Sequence, residues 1–217
     1  MDDPQRIKVL GFAGSLRKGS YNRMALRAAE ELLPDGMTLA IFDITPIPPY
    51  NEDVRQAGFP PPVEEFRDKI AAADALLIVT PEYNYSMPGV LKNAIDWASR
   101  PPDQPFDGKP VAIMGASPSV LGTGRAQYHL RQSCVFLNMF PLNRPEVMIA
   151  QAQNKFDDQG RLTDETTRKL IGDLLVALAD WTRRLDATAE ERRRLTTPLT
   201  DERPGSGRRR RWWPFGK

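Results

Sequence analysis

The chain has 217 residues, 41% of them hydrophobic, which is enough for one α/β domain with a sizeable core and a tail. No apolar run reaches the roughly 20 residues of a membrane-spanning helix, and the acidic start MDDPQR does not resemble a signal peptide. Because Cys134 is the only cysteine, an internal disulfide framework is excluded, and we expect a cytoplasmic location.

The net charge of +2 is distributed unevenly along the chain. Residues 203–217 contain six Lys and Arg residues and no acidic residue. This leaves 24 basic and 28 acidic residues, a net charge of −4, in residues 1–202. The basic character therefore belongs to the end of the chain and does not indicate a nucleic-acid-binding domain.

Apolar runs alternate with helical patterns over most of the chain. The predicted strands are 7–13, 37–44, 75–80 and 110–117, with a shorter fifth at 146–150. The predicted helices are 22–33, 63–73, 89–99 and 124–138, and a last one begins near Thr163. Strands that are apolar along their whole length are typical of a parallel sheet covered on both faces. The order predicts an α/β fold over residues 1–195, a doubly wound five-stranded parallel sheet in a three-layer α/β/α sandwich.

Residues 196–217 show no periodicity and combine Pro, Gly and Ser with charge, which is typical of a disordered tail. The tail ends in RRRRWWPFGK, in which arginines attract anionic lipid and tryptophans favour the membrane interface. The same charge could touch nucleic acid without sequence preference. A solvated tail and a weak contact with an anionic membrane are the two alternatives we keep, and we expect no specific nucleic-acid partner.

The loop after the first strand, within GFAGSLRKGSYN (residues 11–22), has the composition of a phosphate site. The dinucleotide fingerprint requires a glycine at Ala13, and the Walker pattern requires Lys and Ser or Thr at Ser20 and Tyr21, so both fail. A single phosphate monoester fits better, because hydroxyls, an amide, a cation and free helix amides are all present, from Ser15, Arg17, Ser20 and Asn22. An ordinary Gly/Ser-rich turn is the alternative for this loop alone.

The loops after the third and fourth predicted strands carry further ligand-type residues. PEYNYS (residues 81–86) offers two tyrosines and an amide, which suit a flat ring system with polar edges. The fourth strand ends in GASPSVLGTGR (residues 115–125), whose small residues leave room for a ring face. Since the carboxyl ends of parallel strands meet at one edge of the sheet, we expect all three loops to form one ligand site.

With these residues in view, the sequence resembles the NADPH-dependent FMN reductase family of the flavodoxin-like superfamily, and most of all its bacterial chromate and quinone reductases. The resemblance extends over residues 6–185. It is carried by GSLRKGSYN (14–22), by VTPEYNYSMPGVLKNAIDWASRPPDQPFDGKP (79–110) and by GRAQYHLRQ (124–132).

The resemblance implies a bound FMN. The first loop would hold its phosphate through Ser15, Arg17, Ser20 and Asn22, with the backbone of Leu16 and Tyr21. The isoalloxazine and ribityl would contact Pro81, Glu82, Tyr83, Asn84 and Tyr85, and Ser117 would lie near the flavin. The resemblance also implies a dimer or tetramer with flavin sites near subunit interfaces, where Arg100, Arg125, Tyr128 and Glu146 would meet another subunit.

The function expected on this basis is an NAD(P)H-dependent oxidoreductase. NAD(P)H would reduce the flavin at N5, and an acceptor would then take two electrons in a ping-pong cycle without a catalytic side chain. Quinones are the expected acceptors, with chromate or azo compounds as further candidates. A flavodoxin-like electron carrier without NAD(P)H turnover is the main alternative, and a regulatory flavin- or nucleotide-sensing module is another.

Three residues outside these loops are of types that often bind a metal or a nucleotide or act as a reactive thiol. His129 is the only histidine and has no partner ligand nearby in the sequence, so we predict no metal site. Cys134 lies among apolar residues and is interpreted as a core thiol. Asp43 follows the second strand, where a dinucleotide fold places its ribose-binding acid, but without the fingerprint we interpret it as an ordinary strand-end carboxylate.

Overall fold

Strands and helices alternate along residues 6–196, the part of the chain that the computed structural model describes. The strands are β1 (Ile7–Ala13), β2 (Met37–Phe42), β3 (Ala75–Val79), β4 (Pro110–Ala116), β5 (Phe140–Pro141) and β6 (Val147–Ile149). The helices are α1 (Tyr21–Glu31), α2 (Glu52–Ala57), α3 (Pro61–Ala72), α4 (Gly89–Ala98), α5 (Gly124–Phe136) and α6 (Glu165–Thr196), with a 3₁₀ turn at Ala152–Asn154.

The strands form one parallel sheet in the order β2-β1-β3-β4-β5, with β6 also paired to β4. This is the doubly wound flavodoxin-like order, and the predicted fold class is confirmed. The predicted fifth strand, 146–150, is β6, and the structure adds an unpredicted two-residue strand, β5, on the same side of β4. β5 pairs with the start of β4, at Pro110 and Val111, while β6 pairs with its end, at Met114–Ala116.

Side chains alternate between the two faces of the sheet and build two separate cores. Val9, Leu77 and Met114 lie on one face, beneath α1 and α6. Their neighbours Leu10 and Ile78 lie on the other face, beneath α3, α4 and α5. Because both faces are covered, the central strand β3 is buried at every residue, as its unbroken apolar run ALLIV predicts. The result is the predicted three-layer sandwich.

Helix α2 was not predicted from the sequence, and the reason is physical. None of its six residues is buried, so the segment has no apolar stripe to reveal a helical period. It is instead started locally, since the Asn51 side chain accepts the N–H of Asp53.

The described chain ends in the last helix. The predicted domain limit at residue 195 falls in the final turn of α6, and residues 197–217 of the predicted tail lie outside the described residues. Among residues 6–196, no helix is both long and apolar enough to cross a bilayer.

Candidate functional site

Three loops begin side by side at the carboxyl ends of β1, β3 and β4. Loop 1 is residues 14–20, loop 3 is residues 80–88 and loop 4 is residues 117–123. The sheet's hydrogen bonding continues one residue into the first two, because Gly14 N–H donates to Val79 O over 2.8 Å and Thr80 N–H donates to Met114 O over 2.9 Å. Since β1 lies between β2 and β3, loops 1 and 3 flank the topological switch point, where such sheets bind ligands.

Loop 1 presents backbone donors that the protein leaves unused. Among the described residues, no acceptor takes a hydrogen bond from the backbone N–H groups of residues 15–19. Ser15 is buried at the base of this loop, whereas Leu16, Arg17 and Lys18 are exposed. Neither Arg17 nor Lys18 forms an ion pair within the part of the chain that the structure describes. A run of free amides beside unpaired cations suits a phosphate group.

The other predicted phosphate ligands in this region already have protein partners. Ser20 is the N-cap of α1, and its Oγ accepts the N–H groups of Asn22 and Arg23 over 3.2 and 3.4 Å. That hydroxyl keeps its own proton free to donate. Tyr21 stacks its ring on Phe156 with centroids 5.6 Å apart.

Asn22 joins α1 to the end of β4. Its Oδ1 accepts the N–H of Ala116 over 2.8 Å, and its Nδ2 donates to the carbonyl of the same residue over 2.8 Å. The side chain is 3% exposed, so both amide atoms are committed to this contact. Asn22 therefore fixes loop 1 relative to loop 4, a role that residue type and spacing did not reveal because the partner is 94 residues away.

Loop 3 contains a tight hairpin, residues 83–86. Tyr83 and Ser86 exchange both backbone hydrogen bonds, over 2.9 and 3.0 Å, and the two central residues have positive φ, 48° at Asn84 and 67° at Tyr85. This is the geometry of a two-residue hairpin with a type I′ turn. Tyr83 and Tyr85 lie at the surface, 48% and 66% exposed.

Glu82 precedes the hairpin and points at helix α5. Its carboxylate is 6% exposed, forms an ion pair with Arg125 Nε over 2.5 Å, and accepts the N–H groups of Arg125 and Ala126 over 3.1 and 3.2 Å. A carboxylate at a helix N-terminus offsets the partial positive charge there. The Arg125 guanidinium in turn lies 3.7 Å from the centroid of the Tyr85 ring. The Glu82 side chain is thus engaged with protein groups.

Loop 4 is short of bulky side chains where it leaves β4. Ser117 Oγ accepts the N–H of Ser119 over 3.1 Å, which closes a turn, and Val120 and Leu121 are exposed beyond it. Beneath the loop, a Cβ on Gly115 would lie 2.1 Å from Thr80 O, so the ends of β3 and β4 approach too closely for any side chain.

The residues expected at a subunit contact have partners within this chain. Tyr128 donates its hydroxyl to Glu146 over 3.1 Å, and Arg100 Nε donates to Asp96 O over 2.9 Å. Arg125 is held by Glu82 and Tyr85.

Asp43 and Cys134 lie in positions that indicate structural roles. Asp43 pairs with Arg23 over 2.6 Å and accepts from Thr45. Partial burial raises the pKa of Asp43, but the hydrogen bonds from Thr45 and Arg23 have the larger combined effect. The pKa of Asp43 is therefore lower than its ordinary value. Burial raises the pKa of Cys134 to about 11. Among residues 6–196, no three His, Cys, Asp or Glu side chains are grouped as a metal site requires.

The arrangement as a whole defines a flavodoxin-like, mononucleotide-binding protein. Free amides and cations lie on loop 1, and exposed tyrosines with polar backbone groups lie on loop 3. This polarity fits a phosphate joined to a planar ring system, and FMN has both parts.

Comparison with known proteins gives the same result. The sequence model of the NADPH-dependent FMN reductase family matches residues 7–154. An NAD(P)H-dependent FMN reductase of Pseudomonas aeruginosa is 66% identical over 179 residues, which are 82% of this chain and 97% of that protein. A quinone reductase of Escherichia coli is 47% identical over 184 residues, which are 83% of this chain and 98% of that protein.

A solved structure agrees with the sequence relatives. FerB from Paracoccus denitrificans, a flavoenzyme NAD(P)H:(acceptor) oxidoreductase, superposes with a TM-score of 0.75 at 36% identity, covering 82% of this chain and 98% of that one. The chain therefore belongs to the NADPH-dependent FMN reductase family. The predicted family, enzyme class and cofactors, FMN and NAD(P)H, are confirmed.

Proposed function

We propose that this FMN reductase passes two electrons from NAD(P)H to quinones by a ping-pong mechanism, in which the two substrates use the crevice of loops 1, 3 and 4 in turn. The flavin supplies the hydride-accepting ring, and the protein binds, orients and shields it. The observation that carries this proposal is the run of unpaired amides at residues 15–19 beside Arg17, next to the exposed tyrosines of the hairpin. Chromate and azo compounds are further acceptors of the same open site.

The chain's own residues have distinct parts in this proposal. The amides of loop 1, Ser15 and Arg17 bind the phosphate, and Ser20 can donate its free hydroxyl proton while it caps α1. The backbone of the hairpin and the rings of Tyr83 and Tyr85 border the isoalloxazine, with Pro81 and Ser117 at its sides. Glu82 and Asn22 contribute indirectly, by holding the loops in position. Asn84 presents its amide at the turn.

Replacing Arg17 tests the phosphate assignment. A charge-assisted hydrogen bond contributes roughly 1.5–3 kcal/mol, so Arg17→Ala should weaken FMN binding about 10- to 100-fold. Lys18→Ala is the matched control, because it removes the neighbouring cation and we expect a smaller loss. FMN fluorescence quenching measures both. Unchanged FMN affinity in Arg17→Ala would show that loop 1 does not hold the phosphate.

A turnover assay separates the proposed reductase from an electron carrier. The protein loaded with FMN is mixed with NADPH and a quinone, and the NADPH absorbance is followed. Rapid oxidation that depends on the quinone supports the reductase, and parallel lines in a two-substrate kinetic plot support the ping-pong order. FMN binding without NADPH oxidation would instead identify a carrier. Chromate and an azo dye are run in parallel as alternative acceptors.

We further propose a cytoplasmic homo-oligomer, a dimer or a tetramer. Helix α5 supports this, because Val135 and Phe136 on it are 82% and 87% exposed, and such apolar side chains favour burial against another subunit. Light scattering coupled to size exclusion reports the number of subunits, and a monomer at micromolar concentration would contradict the proposal.

The segment RRRRWWPFGK lies outside the described residues, and we propose a weak contact between it and anionic membranes. Its arginines and tryptophans support the proposal. Co-sedimentation with anionic vesicles should be stronger for the full chain than for a version ending at Leu195, and equal binding would end the proposal.

A further inference from the structure

The hairpin of loop 3 has a backbone conformation that its sequence does not favour. Type I′ turns prefer Asn-Gly, because both central residues need positive φ. Here Asn84 is followed by Tyr85, whose φ of 67° is uncommon for a residue with a Cβ and a ring. The two backbone hydrogen bonds between Tyr83 and Ser86 must therefore be assisted by contacts from outside the hairpin.

Helix α5 supplies that assistance on the entry side. Glu82, directly before the hairpin, places a nearly buried carboxylate on the amides of Arg125 and Ala126, in the first turn of the helix. Arg125 then lies over the Tyr85 ring at 3.7 Å. Because the carboxylate meets two amides and a guanidinium together, this contact is stronger than an exposed ion pair.

On the exit side the contact comes from one turn further along the same helix. His129 lies four residues after Arg125, and its Nδ1 is 3.0 Å from Ser86 Oγ. Within residues 6–196, this is the only side-chain hydrogen bond made by any residue of the hairpin. The sequence alone does not reveal this contact of His129, because Ser86 is 43 residues distant in the chain.

We propose that Glu82 and His129 are positioning residues, which hold the two ends of the hairpin against α5 and so fix the surface on which the flavin ring rests. The inference depends on the proposed function, since that function places the ring at the hairpin. Neither residue contacts the ring in this proposal. Each acts through the backbone of residues 83–86, so its removal should loosen the hairpin before any ligand is added.

The first experiment measures hydrogen exchange in the FMN-free protein, at the amides of Tyr83 and Ser86. His129→Ala should accelerate exchange at Ser86 about five-fold, the effect of one neutral hydrogen bond, while His129→Asn, whose amide reaches the position of Nδ1, should restore it. Gln132→Ala is the control, because Gln132 is exposed on the same helix and has no side-chain hydrogen bond to the described residues. Equal exchange in His129→Ala and wild type would overturn the role of His129.

The second experiment measures FMN affinity and steady-state kinetics. Glu82→Gln, which keeps the shape but not the charge, should raise the Kd for FMN roughly ten-fold and lower kcat/KM, with an unchanged fold by circular dichroism. Glu82→Ala should do more, and if it does not fold, Glu82→Gln decides. An unchanged Kd and unchanged hairpin exchange in Glu82→Gln would overturn the role of Glu82. If wild type itself binds no FMN, the proposed function fails, whereas the exchange experiment still tests the contacts with α5.

Discussion

Replacing Asn22 separates a structural role of this residue from direct contact with a ligand. In the native protein, both amide atoms of Asn22 pair with the backbone of Ala116, which is 2% exposed. Asn22→Ala leaves a buried N–H and a buried C=O without partners. Each such group costs about 1–3 kcal/mol, and the better helix propensity of alanine returns only about 0.5 kcal/mol.

The free energy of unfolding should therefore fall by roughly 2–5 kcal/mol in the FMN-free protein. For a domain of this size, that corresponds to a Tm about 5–15 °C lower. Urea titration followed by circular dichroism measures the change, and Glu30→Ala, at an exposed site on the same helix, provides the control. A loss below about 0.5 kcal/mol, together with lost FMN binding, would refute the reasoning and make Asn22 a ligand.

Asn22→Asp gives a second test with a defined pH dependence. One carboxylate oxygen can accept the Ala116 N–H, but the other would face the Ala116 carbonyl, so the pKa of the new acid should be raised above its unfolded value. The folded state then binds more protons than the unfolded state between the two pKa values. The variant should be least stable at neutral pH and should gain stability as the pH falls, opposite to a salt-bridged aspartate.

The remaining predictions concern the core and its thiol. Gly115→Ala places a Cβ 2.1 Å from the Thr80 carbonyl, so the ends of β3 and β4 must separate. We expect the free energy of unfolding to fall by more than about 3 kcal/mol in the same urea titration. A near-neutral effect would show that these strand ends are not closely packed. Burial raises the pKa of Cys134 to about 11, so its reaction with a thiol reagent at pH 8 should be at least about 100-fold slower than in the urea-unfolded chain, and rapid labelling of the native protein would contradict that burial. Trp97→Phe removes the indole N–H that donates to Pro48 O over 2.8 Å and leaves a void at a fully buried site, so we expect roughly 1–3 kcal/mol of destabilisation, measured against Trp181→Phe at a partly exposed position as the control.

The sheet and its covering helices were predictable because buried strands leave a distinctive pattern. The run ALLIV at Ala75–Val79 is apolar at every position, and only a strand covered on both faces needs that. The additional strand β5 was not predictable, because Phe140–Pro141 is too short to show a period. Helix α2 escaped prediction for the related reason that it buries none of its residues.

The location of the candidate site was predictable from the sequence, but the roles of its individual residues were predictable only in part. Loop 1 shows its chemistry locally, since serines and a cation between a strand and a helix are read from neighbouring residues. The partners of Asn22 and Glu82 come from β4 and α5, at separations of 94 and 43 residues. A local sequence pattern cannot reveal partners that are so far apart in the chain. Residues that look like ligand-binding residues in the sequence can therefore be hydrogen-bonded to other parts of the protein instead.

The division of the sheet edge beside β4 into β5 and β6 also affects how this protein meets other sheets. A continuous outer strand would expose a row of unpaired backbone groups, on which another chain could add a strand. Here that edge consists of a two-residue and a three-residue piece, and the first contains Pro141, which has no N–H to donate. The interruption between them leaves no stretch long enough for an incoming strand to align with. This division thus protects the edge against sheet-to-sheet aggregation.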